Sequence, residues 1–177
     1  MQSLAQSRFS SVTRVTFQRL LLRLLSWFLP LLLAACASTP PAPAPRVERP
    51  LSPEAQEVVL FSLGLLNTGY RFGGKNPEAG LDCSGMVSYV YAQAAGRKVR
   101  GSAADIARQG KPITVEAARP GDLLFFNTQN KPFSHVAIYL GEGRFVHAPS
   151  SRGKVRVDNL ANRYYAERLE AARSYFD

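Results

Sequence analysis

A chain of 177 residues with 46% hydrophobic residues has room for one domain of ordinary size and a packed core. Its formal charge of +9 suggests nucleic acid, but four of the 22 basic residues, Arg8, Arg14, Arg19 and Arg23, crowd the N-terminus without an acidic neighbour. Without that segment, 18 basic residues face 13 acidic ones, and they are scattered; this argues against nucleic-acid binding and leaves at most a weak attraction to an anionic polymer.

The first element is an address. After Arg23, about a dozen apolar residues run to Ala35, too few for a permanent membrane helix of roughly 20. A basic front, a short apolar stretch and small residues at its end describe a secretory signal over residues 1–35. Pro30 argues against the other reading, a buried helix. The closing Leu33-Ala34-Ala35-Cys36 resembles the lipobox of bacterial lipoproteins. That resemblance implies that the Cys36 thiol carries diacylglycerol and that the chain is cut before it. Ala37 in place of Asp implies, by the same resemblance, the periplasmic face of the outer membrane of a Gram-negative bacterium. Residues 36–51 are then the lipidated cysteine and a proline-rich spacer without apolar periodicity, which sets reach and not fold. A disulfide between Cys36 and Cys83 is disfavoured, because a thioether-linked Cys36 has no thiol to share. Cys83 becomes a lone thiol in an oxidising compartment, either buried and inert or functional.

The folded domain is expected over 52–177. Ser52-Pro53-Glu54 opens a helix, with Ser52 as N-cap and Pro53 in its first turn. Val58, Val59, Leu63 and Leu66 are its expected apolar face, and Asn67-Thr68-Gly69 its end. Tyr70-Arg71-Phe72-Gly73-Gly74 starts a turn-rich loop. A second helix runs from about Ser84 to Ala95, closed by Gly96, and a third, capped by Ser102, over Ala103 to Gln109. Beyond Pro120-Gly121 the pattern turns to short β runs: Asp122–Phe126, His135–Leu140, Arg144–His147, Val155–Val157 and Leu169–Tyr175. Gly141-Glu142-Gly143 reads as a hairpin between the second and third. Helices first and strands afterwards predict an α+β domain, with helices on one face of an antiparallel sheet.

Three residues can carry chemistry. Cys83 sits where a helix begins, beside unpaired N–H groups and the positive end of the helix dipole, which favour a thiolate and can donate to an oxyanion. Both histidines of the chain, His135 and His147, lie in the β half. Adjacent antiparallel strands can bring them together, His135 as base and His147 as the group that fixes its tautomer. A zinc site has only one Cys and two His to draw on, with no CxxC or HExxH spacing, and is disfavoured. No metal or organic cofactor is implied.

Five motifs in order carry a resemblance: Gly69-Tyr70-Arg71-Phe72-Gly73-Gly74, Leu81-Asp82-Cys83-Ser84-Gly85, Arg119-Pro120-Gly121-Asp122-Leu123, Ser134-His135-Val136-Ala137-Ile138-Tyr139 and Phe145-Val146-His147-Ala148. From Gly69 to about Phe176 the chain resembles the NlpC/P60 family of papain-like cell-wall cysteine peptidases. The resemblance implies a papain-like fold, Cys83 as nucleophile, His135 as general base and His147 as the residue that orients it. It further implies Tyr70 near the oxyanion, and Asp82, Ser84 and Ser102 towards the substrate. Phe72 stands where many members have Trp. The implied substrate is the stem peptide of peptidoglycan, cut at D-glutamyl–diaminopimelate or D-alanyl–diaminopimelate; the sequence does not choose. A silent wall-binding lipoprotein of the same fold is the alternative. An unrestrained wall hydrolase is hazardous, so a regulatory protein is an expected partner, beside the stem peptides and the bilayer reached by the acyl anchor.

Overall fold

The computed structural model describes residues 50–150 and 153–176. The expected signal segment, Cys36 and nearly all of the spacer lie outside the described residues. In chain order the elements are α1 (Pro53–Gly64), β1 (Lys75–Asn76), β2 (Gly80–Leu81), α2 (Cys83–Ala95), α3 (Ala103–Gln109), β3 (Lys111–Ile113), β4 (Leu123–Phe126), β5 (His135–Gly141), β6 (Arg144–His147), β7 (Arg156–Asn159), α4 (Arg163–Ala166) and β8 (Leu169–Ser174). This is an α+β arrangement. The main sheet has the order β3-β8-β4-β5-β6-β7, with every neighbour antiparallel.

The helices start where local chemistry starts them. Ser52 Oγ accepts from the Ala55 N–H (3.2 Å), with Pro53 opening α1. Asp82 caps α2 and Gly96, at φ 61°, ends it. Ser102 and Asp105 form a reciprocal capping box on α3. The face of α1 differs from the expected one. Ala55, Val58, Ser62 and Leu65 are buried, whereas Leu66 is exposed. Ser62 tolerates the core because its hydroxyl donates to the Val59 carbonyl within the helix (2.7 Å), leaving it no polar demand on its surroundings.

Strands β4 and β5 form the centre of the molecule. Alternation sends Leu123, Phe125, Val136 and Ile138 to one face, against residues of α1, α2 and α3. Leu124, Phe126 and Ala137 go to the other, against Phe145 and Tyr165. The centre of the sheet is therefore buried on both sides, whereas the outer strands β3 and β7 are largely exposed. The three long helices share the first face, as expected, and the short α4 helps to close the second. The β5–β6 hairpin turns on Glu142 and Gly143, both at positive φ (52° and 72°), as a two-residue connection matched to strand twist demands. Tyr91, fully buried in α2, donates its hydroxyl to the Gly121 carbonyl (2.5 Å), tying the helix that begins at Cys83 to the turn before β4.

Candidate active site

The strand β5 begins at His135 and β6 ends at His147. The register pairs Ile138 with Val146, so His147 sits one step nearer to His135, on the same face. Their rings meet edge to face, with centroids 5.0 Å apart. A ring nitrogen of each, His135 Nε2 and His147 Nδ1, lies 2.8 Å from the other. Both side chains are buried, among Phe126, Phe145 and Tyr165.

Cys83 reaches the same place from the opposite face of the sheet, as the first residue of α2. Asp82 fixes that end of the helix. Its Oδ1 accepts from the Gly85 N–H (2.6 Å) and the Ser84 hydroxyl (3.0 Å), and its Oδ2 from the Gly73 N–H (2.8 Å). One carboxylate thus joins the helix that begins at Cys83 to the Gly73-Gly74 turn that follows Tyr70. Tyr70, Cys83, His135 and His147 all line one pocket of about 520 Å³, together with Ser134, Arg156, Tyr164 and Tyr165. Asp82, Ser84 and Ser102 are not among the residues that line this pocket; Ser84 donates to Asp82, and Ser102 is engaged in the α3 capping box.

The electrostatics qualify the expected thiolate. Burial pushes the Cys83 thiol up to about 11, and the Asp82 charge adds to the rise. The N–H groups of Val136, Ser84 and Cys83 oppose it without prevailing. His135 is pushed down to about 3 by burial first and by His147 second. The helix N-terminus does favour the anion, but the loss of water outweighs it. Burial thus favours the neutral form of each group taken alone, thiol and imidazole alike. Burial first, then any negative charge that forms on Cys83 and the charge of Asp82, raise the Tyr70 phenol, which stays a donor.

Sequence reasoning missed the groups behind His147. Its Nε2 lies 2.8 Å from Asp158 Oδ2 on β7. The same oxygen accepts from Arg156 Nε (2.8 Å) and from the Tyr165 hydroxyl (2.9 Å). Burial acts to raise the Asp158 carboxyl, but bonds from Arg156, His147 and Tyr165 outweigh it and hold it below the usual carboxylate range. The register pairs His147 with Arg156 across β6 and β7, and alternation returns Asp158 to the same face. Only the alternating Arg156-Val157-Asp158 hinted at this, and without a register it carried no assignment. Among the described residues no three His, Cys, Asp or Glu side chains gather around a point that could hold a metal; the polar groups form a line, from Asp158 to His147 Nε2 and from His147 Nδ1 to His135 Nε2.

Residues 67–174 match the model of the NlpC/P60 family. The chain is 37% identical over 107 residues to the gamma-DL-glutamyl hydrolase of Bacillus subtilis, covering 60% of this chain and 26% of that protein. It is 33% identical over 107 residues to the murein DD-endopeptidase MepH of Escherichia coli, covering 59% and 40% respectively. The chain thus spans well under two thirds of the curated relatives it matches. Among solved structures, it is similar to the NlpC/P60 domain of the peptidoglycan hydrolase SagA, with a TM-score of 0.60 and 35% identity over 68% of this chain and 97% of that one. A family match covering well over half of the chain, on a fold that sets a helix-start cysteine and a strand-borne histidine pair around one pocket, has one conclusion: the chain belongs to the NlpC/P60 family.

Proposed function

We propose that the chain is a cysteine endopeptidase that hydrolyses an amide bond in the stem peptides of peptidoglycan. The observation that carries this reading is the meeting of Cys83, Tyr70 and the His135–His147 pair in one pocket. Because burial favours the neutral form of thiol and imidazole alike, the Cys83 proton passes to His135 as the sulfur attacks the carbonyl carbon. The charges then arise together, and the N–H groups at the start of α2, with the Tyr70 hydroxyl, face the oxyanion. His135 returns the proton to the leaving amine as the C–N bond breaks. Water, deprotonated by the same imidazole, releases the acyl group from sulfur. His147 holds the ring of His135 in place throughout. The scheme uses no metal or organic cofactor.

One relative is named for a gamma-DL-glutamyl bond and another for a murein DD bond, so the names, like the sequence, do not choose between the two bonds. In our reading the mature chain begins at a lipidated Cys36 and faces the periplasm from the outer membrane, with residues 37–51 as spacer and a regulatory protein restraining the activity. The motif Leu33-Ala34-Ala35-Cys36 after a short apolar run supports the anchor.

The test is incubation of the protein and its Cys83→Ala variant with purified peptidoglycan and defined muropeptides, with products resolved by mass spectrometry. Fragments from the wild type alone are expected, and their masses name the bond. Equal release by both proteins would remove Cys83 as nucleophile; release by neither, with both bound to the wall, would make the chain a binder.

A further inference from the structure

Hydrogen-bond donors and acceptors must match along the line from Asp158 to His135, and matching them fixes where each proton sits. Asp158 is ionised and accepts only. His147 Nε2, 2.8 Å from it, therefore carries a proton. A neutral His147 then has a bare Nδ1, which can only accept. The partner 2.8 Å away, His135 Nε2, must donate to it. A neutral His135 that carries its proton on Nε2 has its lone pair on Nδ1, the nitrogen left over for the thiol. We propose that Asp158 is a positioning residue that acts through His147 to hold His135 in the Nε2–H tautomer, the only neutral form whose free Nδ1 can take the Cys83 proton.

The other charged groups at Asp158 fit this role. Alone, an anion beside His147 would draw a second proton onto its ring. A cationic His147 would donate from both nitrogens and reverse the bond to His135, placing the proton on the wrong side of the base. Burial and the nearby positive charge of Arg156 both work against that cation. Arg156 and Tyr165 also occupy the same oxygen that His147 uses, so the carboxylate cannot rotate without breaking three bonds. The device sets a direction for the hydrogen bonds and adds little net charge to the base.

This rests on Cys83 and His135 being nucleophile and base, yet its main readout needs no substrate. The chain has only two histidines, so selective ¹⁵N-histidine labelling of the full chain in detergent yields four ring nitrogens, all from this site. Long-range ¹H–¹⁵N spectra near neutral pH are expected to show both rings protonated on Nε2 and bare on Nδ1. In Asp158→Ala, His135 is expected to populate the Nδ1–H form, and kcat on a muropeptide to fall by about 10- to 100-fold with KM little changed, the size of effect seen when the outer partner of a working imidazole is lost. Asp158→Asn keeps an acceptor oxygen, and is expected to restore the wild-type tautomer and most of the activity. A wild-type His135 protonated on Nδ1 would overturn the proposal, and so would a wild-type kcat in Asp158→Ala. Should Asp158→Ala fail to fold, the wild-type spectrum and Asp158→Asn still decide. Should the wild type cleave no muropeptide, the function above fails while the spectra still judge the relay.

Discussion

Gly85, in the first turn of α2, and Gly74, in the turn after Tyr70, touch backbone to backbone: a Cβ on Gly85 would lie 1.9 Å from the Gly74 carbonyl oxygen. Gly74 is itself hemmed in, since a Cβ there would lie 2.1 Å from the Gly80 carbonyl oxygen. The polar bonds of Asp82 to Gly73 and Gly85 run beside this contact. Together they hold the loop that carries Tyr70 against the helix that carries Cys83. The glycine of the Asp-Cys-Ser-Gly motif is thus explained by closeness and not by an unusual φ.

Gly85→Ala should therefore separate the two segments. The displaced groups are backbone and cannot swing away, so the expected cost is about 1–3 kcal/mol or more. Gly69→Ala is the control, because a Cβ there meets nothing within 4 Å; its effect should stay within about 0.5 kcal/mol. Urea unfolding midpoints of the two variants decide. Equal midpoints would mean that the backbone contact contributes nothing.

How far the sequence carried the fold follows from the range of the forces involved. The caps at Ser52 and Ser102 are local, and residues within three positions decide them; the start of α2, expected near Ser84, falls one residue earlier because Asp82 caps it. The strands of β4, β5 and β6 announced themselves by composition. Strand β3 did not: Lys111-Pro112-Ile113 reads as loop, and it is a strand only because it lies at the sheet edge, where Pro112 need not donate to a second neighbour. In the site, Cys83 and the two histidines were legible from motif and alternation. Asp158 was not, because its place opposite Phe145 depends on the register of β7 against β6, which no local rule sets. The surroundings that oppose a Cys83 thiolate were hidden for a related reason. The helix N-terminus is visible in sequence, whereas the burial that outweighs it is a property of the assembled domain.

That burial has a direct consequence for alkylation. With the thiol pushed up to about 11, its thiolate fraction at pH 7 is on the order of 10⁻⁴, against a few per cent for a free thiol of pKa about 8.5. Iodoacetamide labelling, followed on the Cys83 peptide by mass spectrometry, should be slow near neutrality. The rate should climb about ten-fold per pH unit through pH 9, where an ordinary thiol is already levelling off. A plateau reached below pH 8 would show a thiolate held by His135 at rest, and the coupled proton transfer proposed above would give way to a preformed ion pair.

The histidines make the opposite demand at acid pH. His135 sits at about 3 in the folded protein because burial, then His147, disfavours its cation, whereas 6.5 is the ordinary value an unfolded chain would show. Between those limits the unfolded chain binds a proton that the native one refuses. Stability is therefore fully present above about 6.5 and drains as pH falls towards 3, with a slope approaching about 1.4 kcal/mol per pH unit from His135 alone. His147, lowered first by burial although Asp158 opposes the shift, contributes in the same direction. The window from pH 6.5 to 5 reports chiefly the histidines, since exposed carboxylates are still ionised there and Asp122, raised by burial, acts in the opposite direction. Urea midpoints of the wild type should drop across it. Those of His135→Gln, which keeps polar bulk but cannot titrate, should drop clearly less. Parallel curves for the two proteins would mean that His135 accepts its proton in the folded state near the ordinary value, and that water reaches the base before any substrate does.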